Sequence, residues 1–258
     1  MVDIKTEKEI EIMREGGKIL AEILGEVLDS IKPGVNELEL DEFAERLIRE
    51  KGGEPAFKKV KGYRHCLCIS GNNIVVHGVP TKRKLQEGDV VGVDCGVYYK
   101  GFNTDMSETI KVKRQKSKGK SLNEDEIDRF LETGKKALEE AIKVAIVGNR
   151  IGHISKTIQE IVEKEGYSVV RALIGHGVGR QLHEDPEVPG FLNKKIEKTP
   201  LLKGGMTIAI EVIYNMGGHE VSYLNSDGWT IATSDGSISG LFEKTIAIKE
   251  KGPLVLTA

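Results

Sequence analysis

Val90-Val91-Gly92-Val93-Asp94-Cys95-Gly96-Val97-Tyr98-Tyr99-Lys100-Gly101-Phe102-Asn103-Thr104-Asp105 holds two apolar runs either side of a turn. Asp94 ends the run Val90-Val91-Gly92-Val93, and Asp105 opens the run that leads to Thr109-Ile110. Gly101 can take the positive φ that a tight hairpin turn requires. A hairpin with its two-residue loop at Tyr99-Lys100 would set Asp94 directly opposite Asp105 on one face, with Cβ atoms roughly 4.5–5.5 Å apart. Two carboxylates that close repel each other unless protons or cations neutralise them. The stretch therefore predicts a strand pair and, on it, the start of a metal site.

Working outward, the chain repeats itself. Thr6-Glu7-Lys8-Glu9 reads as a capping box, and Ile10, Met13, Gly17, Leu20, Ile23, Leu24 and Val27 follow at helical spacing, giving a first helix to about Leu28. Pro33-Gly34 stops it, and a second helix is predicted from about Leu38 to Glu50, ending at Gly52-Gly53. The pattern returns with helices from about Glu126 to Val144 and from about Ile154 to Lys164. A shift of 114 residues superposes Gly34 on Gly148, Leu40 on Ile154, Ile48 on Val162 and Gly52 on Gly166. Strands are expected after each helix pair: Cys66–Ser70, Ile74–Val76, Val90–Tyr98 and Phe102–Val112, then Val169–Leu173, Thr207–Tyr214, Thr230–Thr233 and Phe242–Ile248. Two helices followed by antiparallel strands, twice, predict an α+β fold with helices on the outer face of one curved sheet. The expected organisation is one catalytic domain over 1–258, with halves of about 6–112 and 126–250 and a linker over 111–126. Six of the ten residues from Lys111 to Lys120 are basic and Glu124-Asp125-Glu126 follow, which reads as a solvated linker rather than an RNA-contacting loop.

Bulk properties exclude several classes. With 258 residues, 39% of them hydrophobic and 30% charged, the chain has a globular composition rather than a disordered one. A formal charge of −2 predicts no strong attraction to nucleic acid or anionic membrane. No apolar run approaches the ~20 residues of a membrane span, and the N-terminus lacks a signal-peptide core. Cys66, Cys68 and Cys95 form neither a redox motif nor a zinc knuckle and are expected to be reduced, with Cys66 and Cys68 sharing a strand face. The expected location is the cytoplasm.

Further acidic residues fall inside strand patterns. Glu211 follows Thr207-Ile208-Ala209-Ile210, and Glu243 lies between Phe242 and Thr245-Ile246-Ala247-Ile248. A lone carboxylate in such a place is usually an edge residue or an ion-pair partner, but four together ask for cations. His176 sits in Gly175-His176-Gly177-Val178-Gly179, where flanking glycines let the backbone present an imidazole into a cavity. Asp94, Asp105, His176, Glu211 and Glu243 thus have the makings of a dinuclear site, and a mixed oxygen–nitrogen donor set suits Mn, Fe, Co or Zn better than Ca or Mg. His77, before Gly78-Val79-Pro80, and His183, before Glu184-Asp185-Pro186, read either as surface loop residues or as proton shuttles and oxyanion donors beside the metals. His65 and His219 read as structural or exposed, and His153 as a helix-start residue.

These motifs together resemble the type I methionine aminopeptidases, of the pita-bread metallopeptidase fold. The resemblance rests on His77-Gly78-Val79-Pro80, Val93-Asp94, Asn103-Thr104-Asp105, Gly175-His176-Gly177-Val178-Gly179, His183-Glu184, Ile210-Glu211 and Phe242-Glu243, in that order, and runs to about Ile248. It implies that Asp94 chelates one of two divalent metal ions, that Asp105 and Glu243 bridge both, and that His176 and Glu211 complete the ligand set of the second ion. It also implies that Glu211 handles the nucleophile's proton, that His183 hydrogen-bonds the scissile peptide, and that His77 contacts the substrate and assists proton movement. Tyr63, Cys68 and Trp229 match methionine-pocket positions, and Leu182 stands where many relatives carry an aromatic. Expected partners are nascent polypeptide N-termini with a small second residue, transient contact with the ribosome, and no membrane or specific nucleic acid; the expected state is a monomer.

Val212 replaces a usual Pro after Glu211, and Leu241 and Lys244 stand where Gln and His usually flank the last glutamate, leaving the five ligands intact but altering their surroundings. Lys244 is expected to face away from the metals, since strand neighbours alternate. The absence of a zinc-binding extension and of the helical insertion of type II enzymes fits a short bacterial-style form. Two other readings are a proline-directed aminopeptidase of the same fold, whose usual additional N-terminal domain is missing, and a non-catalytic binding module, which would have lost ligands.

Overall fold

The structure, a computed structural model, describes residues 2–113 and 122–258. Most of the basic segment and its linker reading therefore lie outside the described residues. Among the described residues four long helices form as the periodicity predicts: α1 (Glu7–Ser30), α2 (Glu37–Glu50), α3 (Leu122–Lys143) and α4 (Ile151–Lys164). The Thr6 hydroxyl accepts from Glu9 N–H at 3.3 Å while Thr6 N–H donates to the Glu9 carboxylate at 2.8 Å, completing the expected capping box. Asn36 and Glu39 cap α2 the same way, and Arg150 and His153 occupy the equivalent places at the start of α4. The internal repeat extends to backbone conformation. Gly34 and Gly148 have φ of 94° and 90°, and Gly52 and Gly166 of 77° and 86°, left-handed values that glycine adopts without a Cβ penalty.

The described residues also form thirteen strands: β1 (Glu54–Pro55), β2 (Leu67–Gly71), β3 (Ile74–Val76), β4 (Val90–Tyr99), β5 (Phe102–Lys111), β6 (Ser168–Val169), β7 (Gly175–Gly177), β8 (Glu184–Val188), β9 (Thr207–Asn215), β10 (Val221–Tyr223), β11 (Ile231–Thr233), β12 (Ser239–Ala247) and β13 (Leu254–Val255). One large sheet runs β1-β4-β5-β12-β9-β7-β8, with β2 added to β4, β6 to β9 and β13 to β12; β10-β11-β3 form a small second sheet. The two halves meet where β5 lies beside β12.

Each half packs its helix pair on one face of the sheet. In the first, Leu20, Leu24, Leu40 and Ile48 cover Val91, Val93, Cys95 and Val97. In the second, Phe130, Ile154, Ile158 and Val162 cover Ile208, Ile210, Val212 and Tyr214. Strand alternation then turns the intervening residues, including Asp94, Glu211 and Glu243, to the opposite face.

Several details differ from the expectation. The hairpin loop is Lys100-Gly101, not Tyr99-Lys100, because Tyr99 pairs with Phe102. Lys100 and Gly101 have φ of 47° and 96°, the paired positive values of a turn whose twist matches the strands, and this places Gly101 inside the loop. Asp94 consequently faces Ser107, and Asp105 faces Gly96. The two aspartates are diagonal rather than opposite, but a slip of two residues keeps both on one face. Cys66 precedes β2 and packs with the helix-side core, donating its thiol to the Asp41 carbonyl, so it does not share a face with Cys68. Of the expected strand Val169–Leu173 only Val169 lies in a strand, at the end of β6, and β7 and β8 lie where loops were expected. Among the described residues no helix is long and apolar enough to cross a membrane.

Candidate metal centre

A single row of cross-strand partners builds the site. Cys68 on β2 faces Asp94 on β4, Asp94 faces Ser107 on β5, Ser107 faces Glu243 on β12, and Glu243 faces Glu211 on β9. Asp105 stands two residues along β5 from Ser107. On β7, His176 faces Ala209, two residues along β9 from Glu211. All five residues expected to hold metal therefore converge, from five strands and both halves of the chain.

Asp105 is fixed by a side chain the sequence did not reveal. At the β5–β12 seam, the Thr245 hydroxyl accepts from Asp105 N–H at 2.9 Å and donates to the Asp105 carbonyl at 2.8 Å. Thr109 performs the same double bond on Leu241, donating to its carbonyl at 2.7 Å and accepting from its N–H at 2.9 Å. Two inserted hydroxyls thus replace ladder bonds on either side of the Ser107–Glu243 pair. Ser107 was also missed: its place in the carboxylate row depends on the register of both neighbouring strands.

His176 Nδ1 lies 2.8 Å from the Gly177 carbonyl, and as the donor there it leaves the Nε2 lone pair 3.4 Å from Glu211 Oε1, facing the carboxylates. Burial, aided by the neighbouring His183, lowers the His176 pKa to about 4, so the ring is a neutral donor at physiological pH. The acids move the other way. Burial raises Asp105 to about 7, partly offset by the Met106 N–H and Asp94. Burial also raises Asp94, Glu211 and Glu243, and their mutual repulsion with Asp105 adds to it. Among the described residues no Lys or Arg pairs with any of the four. Lys244, as expected, points away and donates to the Thr257 carbonyl at 2.8 Å.

A cation would resolve each of these frustrations. Ligand atoms of Asp105, His176 and Glu243 lie within 4.8 Å of one another. Asp94 Oδ1 and Glu243 Oε1 are buried without a hydrogen-bond partner, a costly state that metal coordination would relieve. The donor set therefore fits a divalent ion.

A cavity of about 120 Å³ opens onto the carboxylates. Tyr63, Cys68, Leu182 and Trp229 line it, together with Phe57, Val60, Val76 and Leu241, which the sequence did not mark as pocket residues. Trp229 meets the Tyr63 ring edge-on at 5.1 Å, and the Tyr63 hydroxyl is tied to the Leu67 carbonyl at 2.8 Å. The apolar wall on one side and the carboxylates on the other describe a pocket for an apolar side chain beside a reaction centre. His77 follows β3 in a left-handed conformation, φ 54°, rarely held by a non-glycine residue without constraint from its neighbours. The constraint is visible next door, where a Cβ on Gly78 would lie 2.1 Å from the Ile69 carbonyl oxygen. His183 stacks edge-on to His176 at 4.3 Å. Of the departures noted in the sequence, Val212 lies on the helix side, and Leu241 alone borders the cavity.

The profile of metallopeptidase family M24 matches residues 11–250. The chain belongs to that family. It is 42% identical to the methionine aminopeptidase of Clostridium perfringens over 257 residues, covering 100% of this chain and 99% of the relative. Among solved structures, the methionine aminopeptidase of Thermotoga maritima superposes with a TM-score of 0.92 at 39% identity, over 100% of this chain and 99% of that one. The prolidase of Pyrococcus furiosus shares the fold, with a TM-score of 0.75 at 24% identity over 99% of this chain and 65% of its own. The M24 chain thus has the pita-bread fold that the repeat and the motifs implied. Divalent metal is the cofactor of this family, and the carboxylate–imidazole cluster is where this member can hold it.

Proposed function

We propose that the chain is a metal-dependent aminopeptidase that removes the N-terminal methionine from nascent proteins and peptides with a small second residue. It is a hydrolase whose full length aligns with methionine aminopeptidases. The observation that carries the site assignment is the row Asp94–Ser107–Glu243–Glu211, with Asp105 and His176 beside it and an apolar pocket at its edge. Four carboxylates with a neutral imidazole match the charge of two divalent ions, which Asp94, Asp105, His176, Glu211 and Glu243 would hold. Such ions would supply an acidified water and a clamp on developing negative charge.

The remaining work falls to the side chains. The pocket of Tyr63, Cys68, Leu182 and Trp229 takes the methionine side chain, excludes water and fixes the scissile carbonyl over the carboxylates. Glu211, whose raised pKa makes it a stronger base once ionised, takes the nucleophile's proton and passes it towards the leaving amine. His183, kept neutral by burial, donates to the substrate carbonyl oxygen as the carbon becomes tetrahedral. His77, also kept neutral, contacts the substrate beside its second residue and assists proton movement. The natural partners are new polypeptide N-termini met at the ribosome, and the enzyme acts as a monomer.

Comparing hydrolysis of Met-Ala-Ser, Met-Leu-Ser and Ala-Pro tests this. Release of free methionine from the first and little from the others is expected. Preferred cleavage of Ala-Pro would instead assign a proline-directed activity.

A further inference from the structure

Lys5 lies in Asp3-Ile4-Lys5-Thr6, just ahead of α1, where a lysine would ordinarily be solvated. Instead its side chain is 1% exposed. Burying an ammonium is expensive unless it is paired, and its partner is the Glu184 carboxylate, also largely buried, whose Oε2 accepts from Lys5 Nζ. Asp3 adds a weaker contact at 3.6 Å. Backbone bonding seats the arm, with Lys5 N–H donating to the Gly205 carbonyl at 2.8 Å.

Glu184 follows His183 directly. Its second oxygen, Oε1, accepts from Gln181 N–H at 2.9 Å, so both carboxylate oxygens hold the turn that carries His183. The lysine stem also packs on that turn: a Cβ on Gly179 would lie 2.4 Å from Lys5 Cε. From the opposite side Asn103, two residues before Asp105, donates its side-chain N–H to the carbonyls of Gly179 and Arg180 at 3.0 and 3.1 Å. Among the described residues no hydrogen bond holds the His183 ring itself, whose neighbour is the His176 ring at 4.3 Å. The direction of His183 is therefore set by the backbone beneath it.

We propose that Lys5 is a positioning residue: through its buried ion pair with Glu184 it locks the turn of residues 179–184 so that His183 faces the scissile peptide. This rests on the reading of His183 as the donor to the substrate carbonyl. A side chain used only in the transition state shows its loss in kcat, whereas a pocket or general stability defect shows in KM or in melting temperature.

The test is steady-state hydrolysis of Met-Ala-Ser by the full chain loaded with Mn²⁺, with Tm and bound metal measured on the same samples. Lys5→Met keeps the apolar stem and removes the charge, and Glu184→Gln keeps the acceptor for Gln181 N–H. Each is expected to lower kcat about tenfold or more, as a misplaced catalytic group does, with KM within about threefold and metal content unchanged. The double variant should be no worse than the poorer single one, because both remove the same constraint. Ile48→Val, a core change on α2 in the first-half cluster, provides a destabilised control whose kcat stays at the wild-type value. Should Lys5→Met fail to fold, Glu184→Gln alone carries the test. Wild-type kcat in folded Lys5→Met or Glu184→Gln, with His183→Ala inactive, would overturn the proposal while sparing the role of His183. Full activity of His183→Ala would overturn both.

Discussion

Glu211 and Glu243 lie directly opposite each other on β9 and β12, buried side chains of like charge from neighbouring strands of one half of the chain. Directly opposed like charges destabilise a sheet, so their place at the centre of the ladder is a cost that the fold does not recover by itself. Asp94 and Asp105 enlarge the cost from the other half. The centre is therefore unstable as ionised protein alone and complete only with cations, which makes stability, proton count and metal affinity three views of one arrangement.

Metal-free protein should lose stability as pH rises above 6.5. Asp105 keeps its proton in the fold up to about pH 7, whereas an unfolded aspartate releases it near 3.9. Proton binding therefore favours the fold, and this contribution is present at low pH and lost as pH rises through 7. Asp94, Glu211 and Glu243, also raised, act in the same direction. Histidine opposes it only at lower pH: His176 titrates at about 4 in the fold, against about 6.5 unfolded, so its effect is confined to acidification between those values. Calorimetry with chelator present should show a loss on the order of 1 kcal/mol or more between pH 6.5 and 8, mostly abolished by Mn²⁺. A flat profile would contradict the burial of these groups as acids.

Metal binding should expel protons. Carboxylates that hold protons near neutrality must release them to become ligands. Titration calorimetry in buffers of differing ionisation enthalpy at pH 6.5 should report at least one proton released, with affinity rising from pH 6 to 8. No proton release would mean that the ions bind elsewhere.

Asp105→Asn should abolish metal binding and turnover while leaving the fold intact. The amide keeps an oxygen for Met106 N–H, now 3.1 Å from Oδ1, and removes the buried charge. Metal-free Asp105→Asn should therefore melt at or above the wild-type temperature at pH 8, the gain bounded at about 4 kcal/mol by a shift of roughly three pKa units. Wild-type turnover in this variant would contradict the site assignment.

Thr245→Val tests the seam. The change preserves shape but strands the Asp105 N–H and carbonyl, each a buried group costing about 1–3 kcal/mol when unpaired. A loss of about 2–6 kcal/mol is expected by denaturant titration, with weaker metal affinity because Asp105 is no longer held. Unchanged stability would show that the hydroxyl is dispensable.

The helices were legible because their signals are local: the Thr6–Glu9 box, apolar residues at helical spacing, and glycines that must be left-handed at Gly34, Gly52, Gly148 and Gly166. The site's carboxylates were legible because Asp94, Glu211 and Glu243 interrupt core strands. The register was not. Whether Tyr99 or Gly101 joins Lys100 in the loop depends on a turn needing positive φ at two positions, and a shift of two residues leaves the hydrophobic pattern unaltered. Strands β7 and β8 escaped because Gly-His-Gly and Glu-Asp-Pro-Glu carry residues that strands disfavour, and they are extended because β9 supplies a partner for β7 and β7 supplies one for β8. Ser107, Thr245 and Lys5 were silent for a related reason. A hydroxyl or a lysine gains its meaning from what lies across the sheet or more than a hundred residues away, and one sequence carries no local mark of that.

Release of free methionine from Met-Ala-Ser, before chelation, after chelation and after Mn²⁺ or Co²⁺ is restored, tests the central claim most directly. Activity should vanish with chelator and return with metal, in step with two ions bound per chain. Full activity in the chelated protein, or no methionine release from a protein that has regained two ions, would contradict it.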